Sequence, residues 1–198
     1  HYGVIEREGY RIEKLIYWSE PGILIPSLMF LPPANASQEA PVMYVDGRGK
    51  SAQALPGGDL EWFVRQGHPV LAVDLRGWGE TRPEPARKGS PWQQYFGDYD
   101  SAMTAFVIGD SLLAMRIRDI LAGLDMLRER FPAKPPILVG RGLGAVPALY
   151  AAVIEKRISA VALEDMLVSY QAVTEHPIHF RVLESILPAV LKSFDLPD

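Results

Sequence analysis

The chain has 198 residues, of which 48% are hydrophobic and 22% charged, which is enough for one domain with a buried core. Its formal net charge of −4, without a basic block, argues against a nucleic-acid partner, because phosphate backbones are bound by clustered Lys and Arg. The lack of cysteine excludes disulfides and a thiol nucleophile, and no apolar run approaches the roughly 18 residues of a membrane span, so we expect no membrane partner.

The first part of the chain predicts an antiparallel hairpin followed by a parallel strand. Residues 10–18 and 23–33 have strand-like sequences, and the turn SEPG lies between them. The run PVMYVDGRG, residues 41–49, is short and apolar and ends in a glycine loop, which is typical of a buried parallel strand. A short helix is predicted over 58–67, with Asp59 as its N-cap.

The middle of the chain predicts a second buried strand and one long helix. The segment HPVLAVDLRGWGET, residues 68–81, is a strand that runs into a glycine turn. After a loop rich in Pro and charge, an apolar stripe predicts a helix over 102–130. Arg116 and Asp119 stand three residues apart on the expected polar side of this helix, so we expect them to pair there.

The last part of the chain predicts another strand, a glycine turn, a helix and a final strand. The first of these strands begins at Pro135, the helix continues to about Lys156, and the final strand spans 158–165. The tail, 166–198, has helical character. Strands that alternate with helices predict an α/β fold with a mostly parallel sheet, a leading antiparallel hairpin and helices on both faces.

The glycine turn Gly140-Arg141-Gly142-Leu143-Gly144-Ala145 has two interpretations. It fits the dinucleotide fingerprint G-x-G-x-x-G/A, with Glu164 or Asp165 about 20 residues later to bind a ribose hydroxyl. It also fits the nucleophile elbow G-x-S-x-G of a serine hydrolase, with Gly142 in the place of the serine. Four predicted strands precede this turn and only about 50 residues follow it, which favours the elbow, because the fingerprint normally opens its nucleotide-binding unit.

Four segments together resemble the α/β-hydrolase superfamily, in its acetyl xylan esterase-like and dienelactone hydrolase-like branch: PVMYVDGRGKS, VLAVDLRGWGET, LLAMRIRDILAGLDML and ILVGRGLGAVPALYAA. The resemblance covers residues 10–198. It implies an ester hydrolase with a Ser, an acid and a His in that order along the chain, acting on a small-molecule or carbohydrate ester without a cofactor. A secreted or periplasmic location is compatible with the resemblance, and the sequence leaves the compartment open.

Under this resemblance the site is assigned residue by residue. Gly142 stands at the nucleophile position, so the catalytic Ser is absent. The oxyanion hole would be formed by the backbone N–H of Leu143 and by that of Gly47 or Arg48. The residues that could line a substrate cleft share a position at the carboxyl ends of predicted strands; they are Asp46, Arg141, Glu164 and Asp165.

The acid and the base are missing from their usual places, which follow a seventh and an eighth strand. The four histidines are His1, His68, His176 and His179. The run EHPIH, Glu175–His179, is open to interpretation as a metal or base cluster, but Pro177 breaks helical spacing, and a solvated loop is the simpler interpretation. We therefore expect no metal site and a degenerate active site.

These assignments predict one α/β-hydrolase-like domain over 1–198 that lacks the last strands of the fold. The sixth predicted strand, 158–163, would then be an open apolar edge, and we expect a further part of the chain or another subunit to cover it, with self-association as one route. The expected function is that of an esterase-like protein, inactive because its Ser, acid and base are missing. A non-catalytic ligand-binding module on the same fold is the alternative, and dinucleotide binding is the more distant one.

Overall fold

The protein is built around a seven-stranded sheet. Its structure is a computed structural model that describes residues 2–35, 39–83, 97–176 and 180–198. The strands are β1 Gly3–Arg7, β2 Tyr10–Glu20, β3 Ile23–Leu31, β4 Val42–Asp46, β5 Val70–Val73, β6 Ile137–Arg141 and β7 Ala160–Glu164. They lie in the order β1-β2-β3-β5-β4-β6-β7. Strands β1, β2, β3 and β5 pair antiparallel, whereas β5, β4, β6 and β7 are parallel neighbours. The predicted α/β architecture with its leading hairpin is confirmed.

Helices cover both faces of the sheet. In the described part of the chain they are α1 Asp59–Arg65, α2 Tyr99–Val107, α3 Leu112–Arg130, α4 Ala145–Ile154 and α5 Tyr170–Glu175. On one face, Leu60 of α1 joins Tyr44 in a hydrophobic cluster. On the other face, Ile120 of α3 and Val146 of α4 pack with Val45. None of the described helices combines the length and the apolar character that crossing a bilayer requires.

Strands β4 and β5 are buried at every residue. Helices cover both of their faces, which explains why VMYVD and VLAV are nearly continuous apolar runs without polar alternation. Strand β4 also pairs with β6, and this register sets Asp46 beside Arg141 at the carboxyl ends of the two strands. In parallel sheets that edge is where ligand sites form, so the loops after β4 and β6 define the candidate site.

The sheet has one strand more than the sequence predicted. Strand β1 pairs with β2 from Gly3↔Lys14 to Arg7↔Tyr10. Its sequence, GVIER, is exposed except at the half-buried Ile5, so it carries no alternating apolar pattern. The final predicted strand, 158–165, is β7, and in the structure it is shorter, at Ala160–Glu164.

The single helix predicted over 102–130 was wrong: the segment forms the two helices α2 and α3. Helix α2 ends at Val107, and Gly109 follows with φ 78°, a left-handed conformation that suits a helix end. Ser111 then caps α3, because its Oγ accepts a hydrogen bond of 3.0 Å from the Ala114 N–H. The apolar stripe continues across this break, so periodicity alone does not reveal it.

The expected pairing of Arg116 with Asp119 was also wrong. Both side chains are fully buried. Arg116 pairs with Glu184 (Nη2 to Oε2, 3.0 Å) and lies over Trp78, with 4.1 Å between the guanidinium carbon and the ring centroid. Asp119 instead pairs with Arg76 (Oδ1 to Nη2, 2.5 Å). Burial lowers the pKa of Arg116 to about 10, so Arg116 keeps its charge at neutral pH.

The tail is helical only in part. It contains α5 and two 3₁₀ turns, Val182–Glu184 and Val190–Lys192. Asp195 reaches back to the start of α5, where its carboxylate accepts hydrogen bonds from the Ser169 hydroxyl at 2.5 Å and from the Tyr170 N–H at 2.6 Å. Burial would raise the pKa of Asp195, but these hydrogen bonds outweigh it and lower that pKa to about 2.

Candidate active site

The turn after β6 has the backbone geometry of a sharp strand-to-helix elbow. Strand β6 ends at Arg141, a single 3₁₀ turn spans Gly142–Gly144, and α4 starts at Ala145. The first and third glycines are required by close packing. A Cβ on Gly140 would lie 2.7 Å from the Cβ of Ala148, and a Cβ on Gly144 would collide with the Val45 carbonyl oxygen. The elbow is therefore built by glycines at both flanking positions.

The central glycine of the elbow is under a different constraint. Gly142 has φ 58°, in the left-handed region. A Cβ built there would meet no atom within 4 Å. In a G-x-S-x-G elbow the nucleophile occupies this middle position, on a sharp, strained turn that exposes its side chain. A side chain at position 142 would therefore project into open space, but the residue there is glycine, which has no side chain.

The two segments assigned to the oxyanion hole are neighbours. A Cβ on Gly47 would lie 2.6 Å from the Cβ of Leu143 and 2.9 Å from its amide nitrogen. However, the Gly47 N–H donates to the Arg141 carbonyl at 3.1 Å, and the Arg48 N–H donates to the Asp46 carboxylate at 2.8 Å. Their assignment as oxyanion donors stays a prediction, and it requires one of these bonds to open.

Asp46, which was assigned to the cleft, forms an ion pair with Arg48. Asp46 is buried, and it accepts from the Arg48 Nε at 3.0 Å and from the Nη2 at 2.7 Å in a bidentate ion pair. The hydrogen bonds with Asp46 raise the pKa of Arg48. The pair closes the loop after β4 on itself.

Arg141 and Glu164 were also assigned to the cleft. The structure brings them together with Asp59, which the sequence predicted as a helix cap. Arg141 pairs with Glu164 (Nη2 to Oε1, 3.2 Å) and with Asp59 (Nη1 to Oδ2, 3.0 Å). Asp59 also accepts from the Tyr44 hydroxyl at 2.6 Å. Burial, and then this bond to Asp59, raise the pKa of Tyr44 well above its ordinary range. Asp165 is exposed at the strand end, with φ 53°.

The predicted role of Asp59 as a helix cap was wrong. The N-cap of α1 is Gly58, which makes no side-chain cap, and Asp59 is the first residue of the helix. Its carboxylate still lies in the first turn, where the helix dipole favours a negative charge. Its contact with Arg141 joins segments more than 80 positions apart in the sequence, and no local pattern could have indicated it.

A groove of about 320 Å³ lies below this charged network, between α1 and the end of the sheet. We call it the α1 groove. Its floor is formed by side chains of three neighbouring strands, its wall by α1 and its rim by carboxylates; the lining residues are Tyr44, Val139, Ala162, Leu163, Trp62, Phe63, Asp59 and Glu164. Trp62 is 59% exposed. The mixture of aromatic and charged groups is typical of a ligand site.

A buried ion pair holds the loop after β4 against the loop after β5. The Lys50 ammonium contacts Asp74 and lies 2.6 Å from Glu80, and the Lys50 N–H donates to the Asp74 Oδ1 at 2.7 Å. Lys50 and Asp74 are both buried. Neither residue was predicted to belong to the site, although both lie in the segments that carry the resemblance. The pair fixes the loop that carries Gly47 and Arg48.

The two described histidines, His68 and His176, form their hydrogen bonds with segments other than the elbow. His68 precedes β5, so it lies at the amino end of the parallel strands, opposite the elbow, and its Nδ1 contacts the Ala40 carbonyl at 2.7 Å. His176 follows α5, and its Nδ1 contacts the Ala172 carbonyl at 2.7 Å. His1 and residues 177–179 lie outside the described residues. Within the described ranges, no three His, Cys, Asp or Glu residues are grouped as a metal site.

The sequence model of the alpha/beta hydrolase family matches residues 54–197, which include the elbow, α4 and the tail. This chain belongs to the alpha/beta hydrolase family. The match covers most of the chain and confirms the predicted superfamily. A search of functionally curated proteins gives no match.

Solved structures that are described as esterases show the same fold. A candidate acetyl xylan esterase from Bacteroides fragilis matches with a TM-score of 0.78 and 20% identity, over 99% of this chain and 57% of that chain. The acetyl xylan esterase from Paenibacillus sp. R4 matches with a TM-score of 0.59 and 21% identity, over 80% of this chain and 51% of that chain. A cold-adapted esterase from an Arctic intertidal metagenomic library matches with a TM-score of 0.56 and 18% identity, over 84% of this chain and 65% of that chain. The present chain thus spans between half and two thirds of the length of these proteins.

Proposed function

We propose that this chain is an alpha/beta hydrolase domain of the carbohydrate-esterase type without serine-dependent ester hydrolysis. The observation that supports it is the elbow, where Gly142 has the left-handed φ of 58° and open space in the direction of a Cβ. Covalent ester hydrolysis needs a hydroxyl or thiol at that point to attack the carbonyl carbon. Glycine supplies neither, so no acyl-enzyme forms at this position.

The proton-transfer groups support the same conclusion. In this family the acid and the His follow the nucleophile along the chain. Of the described histidines, only His176 follows the elbow, and its hydrogen bond goes to the Ala172 carbonyl and not to the elbow. A serine without an imidazole in hydrogen-bond reach has no general base to take its proton. Among the described residues, the elbow therefore lacks a positioned imidazole as well as the side-chain hydroxyl.

Acetylated carbohydrate is the ligand class that we propose for the domain. Two of the structures that share the fold are described as acetyl xylan esterases. Hydrolysis of p-nitrophenyl acetate, combined with labelling by a fluorophosphonate probe, tests the proposal. We expect no turnover above buffer and no labelled protein. Turnover that a serine-reactive inhibitor abolishes would contradict it.

A second candidate function, non-catalytic binding, is favoured by the α1 groove. The indole of Trp62 is exposed beside the carboxylates of Asp59 and Glu164, and Arg141 bridges these two acids. Aromatic faces and planar charged groups suit a polyhydroxylated ring, which offers an apolar face and several hydroxyls.

Calorimetry with acetylated xylo-oligosaccharides tests this second function. We expect a binding heat that Trp62→Ala removes. Trp18→Ala is the matched control, because Trp18 is 63% exposed on β2 and does not line the groove. The absence of heat across acetylated and deacetylated oligosaccharides would remove the support for a binding module.

We do not propose dinucleotide binding. The chain belongs to the alpha/beta hydrolase family, and Glu164, the acid assigned to a ribose hydroxyl, is paired with Arg141. Titration with NAD or FAD tests this choice, and we expect no binding.

A further inference from the structure

A pocket of about 310 Å³ lies at the amino end of the parallel strands, at the opposite end of the sheet from the elbow. We call it the arginine pocket. It is formed by the start of β2, the end of β3 with the loop after it, and the end of α3; its main lining residues are Arg11, Leu31, Pro32, Pro33, Arg130 and Phe131. Strand β3 lies four places from β7 in the sheet, so the pocket does not involve the edge of β7.

Two guanidinium groups enter this pocket from different elements and share one carboxylate. Arg11 and Glu13 stand two residues apart on β2, so they lie on one face of the sheet, with Leu15 and the core under α3. Arg130 is the last residue of α3. Glu13 is buried, and it accepts from Arg11 at Oε1, at 3.4 Å, and from Arg130 at Oε2, at 2.7 Å.

The charges of this cluster do not cancel. The two guanidiniums carry two positive charges and the Glu13 carboxylate one negative charge. The carbonyl end of α3 adds roughly half a negative charge, so about half a positive charge remains. This balance suits a ligand with one negative charge, whereas a phosphate dianion would leave an excess of negative charge beside buried Glu13.

The ion pair with Glu13 leaves donors of both arginines for a ligand. A guanidinium has five N–H donors. Arg130 uses Nη2 in this pair, and Arg11 uses Nε and Nη2 at 3.4 Å, which is longer than the roughly 2.7–2.9 Å of a charge-assisted hydrogen bond. The two side chains are 43% and 36% exposed, respectively for Arg11 and Arg130, so solvent and small molecules reach them.

The rest of the pocket is apolar. Pro32 and Pro33 follow β3 directly, and their rings fix the backbone φ angles of this wall. Leu31 is buried, and Phe131 is half-buried with the guanidinium carbon of Arg130 5.7 Å from its ring centroid. Apolar walls with a few convergent polar groups are typical of sites for small molecules.

We propose that the arginine pocket binds an aromatic carboxylate, that is, a small organic acid with a flat apolar body. A planar carboxylate matches the donor geometry of the guanidiniums of Arg11 and Arg130. The ring of the acid buries its faces against the two prolines and Phe131. The inference does not rest on the proposed function, because the pocket shares no residue with the elbow.

Titration of the intact ¹⁵N-labelled chain with benzoate, followed by NMR, tests the site. We expect saturable shifts of the Nε–H signals of Arg11 and Arg130 and of the backbone N–H of Ala34, which also lines the pocket. Methyl benzoate keeps the ring without the charge, and acetate keeps the charge without the ring, so each should bind about tenfold more weakly or worse. Equal affinity for benzoate and methyl benzoate would overturn the proposal, as would no saturable shift with benzoate.

Variants of the two arginines test their role in binding. Arg11→Gln and Arg130→Gln should each weaken benzoate binding by about tenfold or more. Arg65→Gln is the matched control, since Arg65 is half exposed and paired with Glu61 on α1, outside the pocket, and it should bind benzoate as the wild type does. The dispersion of the amide spectrum checks that each variant is folded. Unchanged binding in both pocket variants would overturn the proposal.

Glu13→Gln separates ligand binding from a purely structural role of the arginines. If the guanidiniums bind benzoate, removing the competing carboxylate charge should raise the affinity, because both cations are then free of their counter-ion. A lower affinity in Glu13→Gln would overturn the assignment of benzoate to these two groups.

Discussion

Arg116 and Glu184 form an ion pair in which neither side chain has any exposed surface, with 3.0 Å between Nη2 and Oε2. The pair joins α3 to the 3₁₀ turn Val182–Glu184 of the tail. Glu184 also accepts from the Trp78 indole N–H at 3.0 Å and from the Arg181 Nε at 2.7 Å. The tail is thus fixed to the loop after β5 by one buried carboxylate.

Glu184→Gln should destabilise the protein strongly. It leaves the Arg116 charge buried without its counter-ion, and breaking a buried pair in this way costs about 3–5 kcal/mol. The measurement is the free energy of unfolding in urea at neutral pH. Glu175→Gln, at an exposed position of α5, is the control and should change that free energy by no more than about 0.5 kcal/mol. A similar small change for Glu184→Gln would show that the tail is not fixed by this pair.

The same pair predicts a dependence of stability on pH. Burial opposes ionisation of Glu184, but Arg116 and the hydrogen bonds from Trp78 and Arg181 outweigh it, so the folded-state pKa is lowered. The stabilisation is therefore complete above the unfolded pKa of about 4.3 and is lost as pH falls through the lower folded value. Urea unfolding between neutral and acid pH should show this loss in the wild type and a reduced loss in Glu184→Gln. Equal pH profiles would contradict the assignment.

Lys50→Met should be destabilising and should loosen the loop after β4. It leaves the buried Asp74 carboxylate without its cation, at a cost of about 3–5 kcal/mol. Hydrogen exchange at Gly47 and Arg48 is the local measurement, and exchange should become faster there. Lys14→Met, at an exposed position of β2, is the control and should leave both exchange and stability near wild type.

Gly142→Ser should not restore ester hydrolysis. The hydroxyl would lie in open space at the elbow, but no described imidazole is placed to activate it. Because φ there is left-handed, the substitution should also cost about 1–2 kcal/mol of stability. Gly109→Ser is the matched control, since Gly109 also has a left-handed φ and open space around a Cβ. Vigorous p-nitrophenyl acetate turnover by Gly142→Ser alone would show that a base is present.

Asp195→Asn should open the start of α5. The Asp195 carboxylate accepts from the Ser169 hydroxyl and from the Tyr170 and Gln171 N–H groups, and it stays ionised because its pKa is lowered to about 2. Hydrogen exchange over 170–175 should become faster in the variant at neutral pH. In the wild type the same protection should fall only as pH approaches about 2. Asp125→Asn, on α3, should leave exchange in α5 unchanged.

The sequence predicted those features of the fold that local patterns encode. Buried parallel strands such as β4 and β5 are continuous apolar runs, and glycines at Gly140 and Gly144 mark a turn where backbones touch. Edge strand β1 has neither pattern, because it buries little. The break between α2 and α3 was hidden for a related reason: the apolar face continues while Gly109 and Ser111 end one helix and start the next.

Partners distant in sequence could not be predicted in the same way. Arg116 and Asp119 have helical spacing for a surface pair, but both point into the core, where they meet Glu184 and Arg76. Asp59 looks like a cap because it starts a helix, and only the folded sheet brings Arg141 to it. The central place of Gly142 in the turn could be predicted, since that inference depends on a motif alone; the absence of a nucleophile there stays a prediction. The hydrogen bonds that occupy the backbone N–H groups of Gly47 and Arg48 could not be predicted from the sequence.

The unobstructed direction at Gly142 makes the elbow a convenient place for a spectroscopic reporter. The chain contains no native thiol, so a Gly142→Cys protein would carry a single attachment point, and a spin label or fluorophore fixed there would project from the turn into solvent. Its signal would change when a ligand enters beside Leu143 or Arg141. The open space at Gly142 thus leaves room for a probe that would report on any ligand close to the elbow.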